Sequence, residues 1–173
     1  MPKKPKQQSP VIPRQELRTG ALKCIAIAES RLAEAEALIE AHFESQAAVV
    51  FSFAVEELGK AVLLRQAYDR ALASVTVNGF YEHRDKLVAA EIVIPNEYLR
   101  LTTPEFDPEE FSDEFAIGFT PVDVQSRWSV MFVNWDKGGQ QWTEPVNVER
   151  AAILNSIAGV RRLLGTPLNG WPC

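Results

Sequence analysis

The sequence predicts an all-α fold, a helical bundle of four main helices with a small β-hairpin near residues 129–146. Three observations predict it. Apolar residues recur at spacings of three and four along much of the chain, the signature of one helix face turned to a core. One stretch, Ala47 to Leu64, is apolar on nearly all sides, as a helix enclosed by others is. The period changes at Ser129-Val-Met-Phe-Val-Asn-Trp135, where strand formers precede the turn signal Asp136-Lys-Gly-Gly139.

Each element has its own justification. Residues 1–13 hold four prolines and three lysines and read as a flexible N-terminal tail. Pro13 suits a first helical position, and the first helix runs from there to about Ala41. Its stripe is Leu17, Ala21, Cys24, Ala28, Leu32, Ala35 and Leu38, with Arg31, Glu34, Glu36 and Glu40 off the stripe and facing water. The second helix is expected from about Glu44 to Ala73. Its seams are Ala47, Phe51, Ala54, Leu58, Val62 and Val50, Phe53, Ala61, Leu64, Tyr68, so it belongs at the centre of the bundle. Asn78-Gly79 breaks the pattern. A third helix follows over Phe80 to about Ile92, with Phe80, His83, Leu87 and Ala90 on its inner side. Residues 102–122 are irregular, proline-interrupted and acidic, pinned by Phe106, Phe111, Phe115 and Phe119. In the hairpin, Gln140 to Val146 returns as the second strand, and Trp135 and Trp142 face each other. Asn147 caps a last helix whose apolar face is Ala152, Ile153, Ile157, Val160 and Leu164. The whole makes a single helical-bundle domain over residues 14–166 with a C-terminal tail, 167–173.

Composition narrows the function classes. The chain has 173 residues, 46% hydrophobic and 24% charged, ordinary for a soluble globular domain. Net charge is −5, and without the three lysines of the tail it is −8. That excludes a broad basic DNA-binding surface but leaves room for a local RNA site. Two cysteines, Cys24 and Cys173, make no disulfide framework and point to a reducing, cytoplasmic setting. The lysines near the N-terminus are not followed by an apolar run, so no signal peptide is read there. The most apolar window carries Glu56, Glu57 and Lys60, which argues against a membrane span.

Those three charges are the informative feature. An ion inside a bundle loses several kcal/mol of hydration unless it is paired. Lys60 lies four residues after Glu56 and three after Glu57, so either carboxylate reaches it along the helix. Gly59 costs a helix interior about 1 kcal/mol against alanine and is tolerable where another backbone or a ligand comes close. His83 and Lys86, three apart on the third helix, face the second helix and supply the other half of a cluster. The same residues read equally well as a buried ion-pair network fixing the bundle register, because such networks also place charges in apolar surroundings. No repeated Glu-x-x-His pair or Cys cluster suggests a metal, and no Gly-rich phosphate cradle is present, so neither metal nor cofactor is expected.

Three blocks, Phe53-Ala-Val-Glu-Glu-Leu-Gly-Lys-Ala61, Phe80-Tyr-Glu-His-Arg-Asp-Lys86 and Arg127-Trp-Ser-Val-Met-Phe-Val-Asn-Trp135 with Trp142 and Pro145, resemble in order and spacing the AbiV family of abortive-infection proteins. The resemblance spans about residues 17–165. It implies a HEPN-like helical domain and phage defence in a bacterial cytosol, by RNA-directed action or a block of protein synthesis. By position, Glu57, Lys60, His83 and Lys86 match the family's Glu-Glu-x-x-Lys and His-x-x-Lys patterns, and Glu56 matches the first Glu. One departure bears on the chemistry. HEPN ribonucleases usually carry an Arg four to six residues before a His, whereas the nearest Arg before His83 is Arg70 and before His42 is Arg31. A metal-independent ribonuclease would then use His83 as the base for the ribose hydroxyl, Lys60 and Lys86 on the phosphate, and Glu57 to orient His83. Arg127 is a third cation, or a salt-bridge partner of Glu56 or of the acidic segment. The alternative is a non-enzymatic interaction module that binds a phage or host protein. A homodimer suits both readings.

Overall fold

The computed structural model describes residues 8–70, 72–83, 85–87, 89–90, 134–136, 139, 141–143, 145 and 147–165. It is mostly helical with small antiparallel strand pairs, the all-α class expected from the sequence. In chain order the elements are β1 (Val11–Pro13), α1 (Arg14–Glu40), α2 (Glu44–Asp69), β2 (Ser74–Thr76), α3 (helical at residues 83, 85–87, 89 and 90), β3 (Asn134–Asp136), β4 (Gln141–Thr143) and α4 (Arg150–Gly165). The expected third block (residues 127–133), the acidic segment 102–122 and residues 166–173 lie outside the described residues.

α1 and α2 form the frame, two long antiparallel helices packed along their length. The stripe read for α1 is the buried one: Leu17, Ala21, Ala28, Leu32 and Ala35 are fully buried, joined by Ile39, while Cys24 and Leu38 are half-buried. The turn between them closes on a Schellman motif. Phe43 N–H donates to Leu38 C=O and His42 N–H to Ile39 C=O, at 2.8 and 3.1 Å. His42 holds φ +62°, the left-handed position usually given to glycine.

Two apolar clusters run along this frame. One joins the C-terminal half of α1 and the N-terminal half of α2 to Leu87 and Ala90 of α3 and to Ile153, Ile157 and Val160 of α4. The other joins Leu17, Ala21, Ala61, Leu64 and Ala67 to Val75 and Val77. α4 is also fastened electrostatically. Arg150 donates to the Ile39 carbonyl at the end of α1 and to Glu44, while Arg161 grips both oxygens of Glu36 at 3.1 and 2.8 Å. That pairing leaves Glu36 half-buried where the sequence placed it in water.

The structure corrects four local expectations. α2 stops at Asp69, because Ser74-Val-Thr-Val alternates exposed and buried and pairs as a strand instead of extending the helix. Its partner is Val11–Pro13, in register Val11↔Thr76, Ile12↔Val75, Pro13↔Ser74, so the end of the segment read as a tail is built into the fold. Helix α3 begins at His83, after the Asn78-Gly79 turn in which Gly79 has φ +76°, and Phe80 lies ahead of it. α4 begins at Arg150, which leaves Asn147 outside as a cap. The hairpin pairs Trp135 directly opposite Trp142 as read, but Asp136, expected in the turn, pairs with Gln141, and residues 129–133 lie outside the described residues.

Candidate functional site

The site lies where α3 crosses the middle of α2. Glu56 is on the part of α2 that faces α3, and its side chain is only 6% exposed. A carboxylate this deep stays ionised only beside cations or donors. It has both: its Oε2 accepts from Nδ1 of His83 at 2.7 Å and from the Lys86 ammonium at 3.0 Å. Lys86 is as buried as Glu56, at 6%. Each of these two ions is therefore the other's compensation, and His83 adds a second polar contact to Glu56.

His83 differs from both. Its side chain is 57% exposed, so the inward orientation expected from the Phe80–Leu87 spacing is not what α3 presents. The helix starts only at His83, and this first residue sits at the rim of the α2–α3 contact, one turn before buried Lys86 and Leu87. The contact fixes the chemistry of the ring. With an ionised carboxylate on Nδ1, that nitrogen carries the proton, and in the neutral ring Nε2 keeps its lone pair. The result is a carboxylate–imidazole dyad whose basic nitrogen belongs to an exposed side chain.

The second ion pair is separate. Glu57 and Lys60 pair along α2, each about a quarter exposed. Glu57 thus does not orient His83, as the sequence reading had it; Glu56 does. The reason is geometric. Adjacent residues on a helix point about 100° apart, so Glu56 and Glu57 cannot serve the same partner on α3. Sequence spacing left both carboxylates within reach of Lys60 and could not separate them.

Cys24 is the site neighbour that sequence reasoning missed. It stands half-buried on α1, within reach of the Glu57 charge. Burial first, then the Glu57 charge, pushes the thiol up to about 11, while Lys60 and Lys86 pull the other way. It is a protonated thiol at neutral pH, not a nucleophile. Its place in the buried stripe of α1 was readable; its carboxylate partner across the helix interface was not.

Arg127 lies outside the described residues. Among the described residues no group of three His, Cys, Asp or Glu side chains is placed to hold a metal ion. No helix among them is long and apolar enough to cross a membrane.

The mostly helical chain, with a charged cluster where two of its helices meet, is consistent with a HEPN-like helical domain. The AbiV family model matches residues 16–165, nearly the whole chain, and the protein belongs to that family. Membership suggests a role in abortive infection, the defence of a bacterial population against phage. No curated protein and no solved structure matches the chain.

Proposed function

We propose that this protein is an abortive-infection effector of the bacterial cytosol that acts on RNA, and so on translation, through the Glu56–His83 dyad. The observation that carries the reading is the pairing of an exposed imidazole with a buried, ionised carboxylate through Nδ1. In the reaction, Nε2 of His83 takes the proton of a ribose 2′-hydroxyl. The freed oxygen attacks the adjacent phosphorus, the bond to the 5′-oxygen breaks, that oxygen takes a proton from water, and the hydroxide left behind takes the proton from the imidazolium. Glu56 orients the ring and stabilises the imidazolium that forms. Lys86, sealed beside Glu56, acts through that carboxylate and does not touch the phosphate. Lys60, with part of its surface in water, is the cation able to meet it. The protein is expected to work as a homodimer, and sedimentation at micromolar concentration tests this.

Purified protein incubated with total cellular RNA tests the reading, wild type beside His83→Ala, with the new ends mapped. Cleavage by the first and none by the second supports it. Equal cleavage by both, or none by either while phage-triggered arrest still requires the protein, removes the RNA chemistry.

One observation favours a second reading. Among the described residues, each carboxylate of the cluster has a lysine beside it, Lys86 for Glu56 and Lys60 for Glu57. A neutral, satisfied network is what a structural ion-pair cluster looks like. On that reading the domain acts by binding a phage or host protein. Lys60→Met then lowers the melting temperature markedly and leaves defence otherwise intact, whereas the catalytic reading has activity fall with little change in stability.

A further inference from the structure

α2 contains one glycine, and its position is not incidental. A Cβ built on Gly59 would stand 1.8 Å from the carbonyl oxygen of Lys86, 2.6 Å from its carbonyl carbon and 2.9 Å from its Cα. No side chain fits there. The α3 backbone occupies the volume that any other residue would claim, and backbone cannot swing aside as a flexible side chain can.

The registers of the two helices give this contact its consequence. Glu56 and Gly59 are three apart on α2, and His83 and Lys86 are three apart on α3, so each pair shares a helix face. Lys86 meets α2 twice: its backbone against Gly59 and its ammonium on Glu56. One turn back, His83 meets the same oxygen of Glu56. We infer that Gly59 is the positioning residue of the dyad. By admitting the Lys86 backbone it sets the depth at which α3 docks, and that depth brings His83 Nδ1 to hydrogen-bonding distance of Glu56. The inference rests on the dyad proposed above as the working site, but the geometry it concerns can be measured whether or not RNA is cut.

A matched control exists in the same protein. Gly20 is also helical, on α1, and its added Cβ would meet only Leu64 Cδ1 at 3.2 Å, the tip of a side chain that can give way. Helix propensity alone makes alanine better than glycine at both positions. The docking contact reverses the sign at Gly59 alone.

The experiment is the imidazole nitrogen NMR spectrum of full-length Gly59→Ala and Gly20→Ala, beside wild type, with helix content followed by circular dichroism. The chain has two histidines, and His42, 83% exposed in the α1–α2 turn, is the internal reference. In wild type and Gly20→Ala, neutral His83 holds its proton on Nδ1. In Gly59→Ala it reverts to the Nε2–H form that free imidazole side chains favour, while His42 does not change. A folded Gly59→Ala protein that keeps the Nδ1–H form overturns the inference. Should Gly59→Ala not fold, Leu87→Ala decides. It removes apolar packing from the same helix but leaves the glycine contact open. His83 keeps the Nδ1–H form if the backbone seam sets the depth, and loses it if general apolar packing does. RNA cleavage measured on the same samples separates this outcome from failure of the RNA reading, which would abolish activity in wild type without moving the spectrum.

Discussion

Glu56, not its neighbour, is the carboxylate on which the cluster turns. Replacing it by alanine leaves the Lys86 ammonium buried and unpaired, which typically costs about 3–5 kcal/mol. Thermal unfolding of Glu56→Ala checks this; a loss under about 1 kcal/mol, the scale of a surface pair, contradicts the burial of Lys86. Cys24 gives an independent residue-scale test. Its thiol pKa is raised on folding from an ordinary 9.0 to about 11. Between those values the folded chain holds a proton that the unfolded chain has released. This thiol's contribution to stability is thus complete below about 9 and fades as pH rises through about 11. Cys24→Ala is expected to flatten the fall in stability over that window, seen by denaturant titration at several pH values. An unchanged slope would dissociate the thiol from Glu57. These residues were legible as types and spacings. Glu56, Glu57, Lys60, His83 and Lys86 stood out in the sequence because charges interrupt apolar runs. Their pairing was not legible, since it depends on the rotation of α3 against α2, which periodicity does not record.

At the scale of the element, the helices were legible where they are long. The stripe of α1 and most of the α2 seams follow 3.6-residue spacing and are buried, but Phe53, expected in a seam, is 42% exposed, and Val50, Val62 and Tyr68 are half-buried. Short elements were not. Ser74-Val-Thr-Val alternates over too few residues to separate a strand from a helix end, and its partner lies over sixty residues earlier in the chain. The Asn78-Gly79 break and the Trp135–Trp142 hairpin were readable, because turn chemistry is local. The turn after α1 carries a prediction of its own. His42 occupies a left-handed backbone position without the freedom of glycine. His42→Gly is expected to stabilise the fold by roughly 1 kcal/mol, the cost L-residues bear in that conformation. Calorimetry reads it as a higher melting temperature, and a lower one would contradict the closing geometry of α1.

For the whole molecule, the acidic balance and the AbiV family match point in different directions. The first discourages a broad nucleic-acid surface, and the second suggests a defence role for which a confined site suffices. A dyad at one rim of a helix crossing meets both constraints, because it needs a single exposed nitrogen and not a basic face. Cleavage by such a site is expected to depend less steeply on salt than binding through many phosphate contacts does. Activity measured from low to moderate salt checks that, and a loss of several decades would indicate an extended basic surface.

The account stands on one proton. A long-range proton–nitrogen spectrum of the unaltered protein, taken at a pH where both histidines are neutral, shows where it sits. His83 is predicted to carry it on Nδ1, with Glu56→Gln weakening that preference and leaving His42 unchanged. A His83 that keeps the Nε2–H form in wild type and Glu56→Gln alike would mean the carboxylate does not hold the ring, and the dyad would not exist.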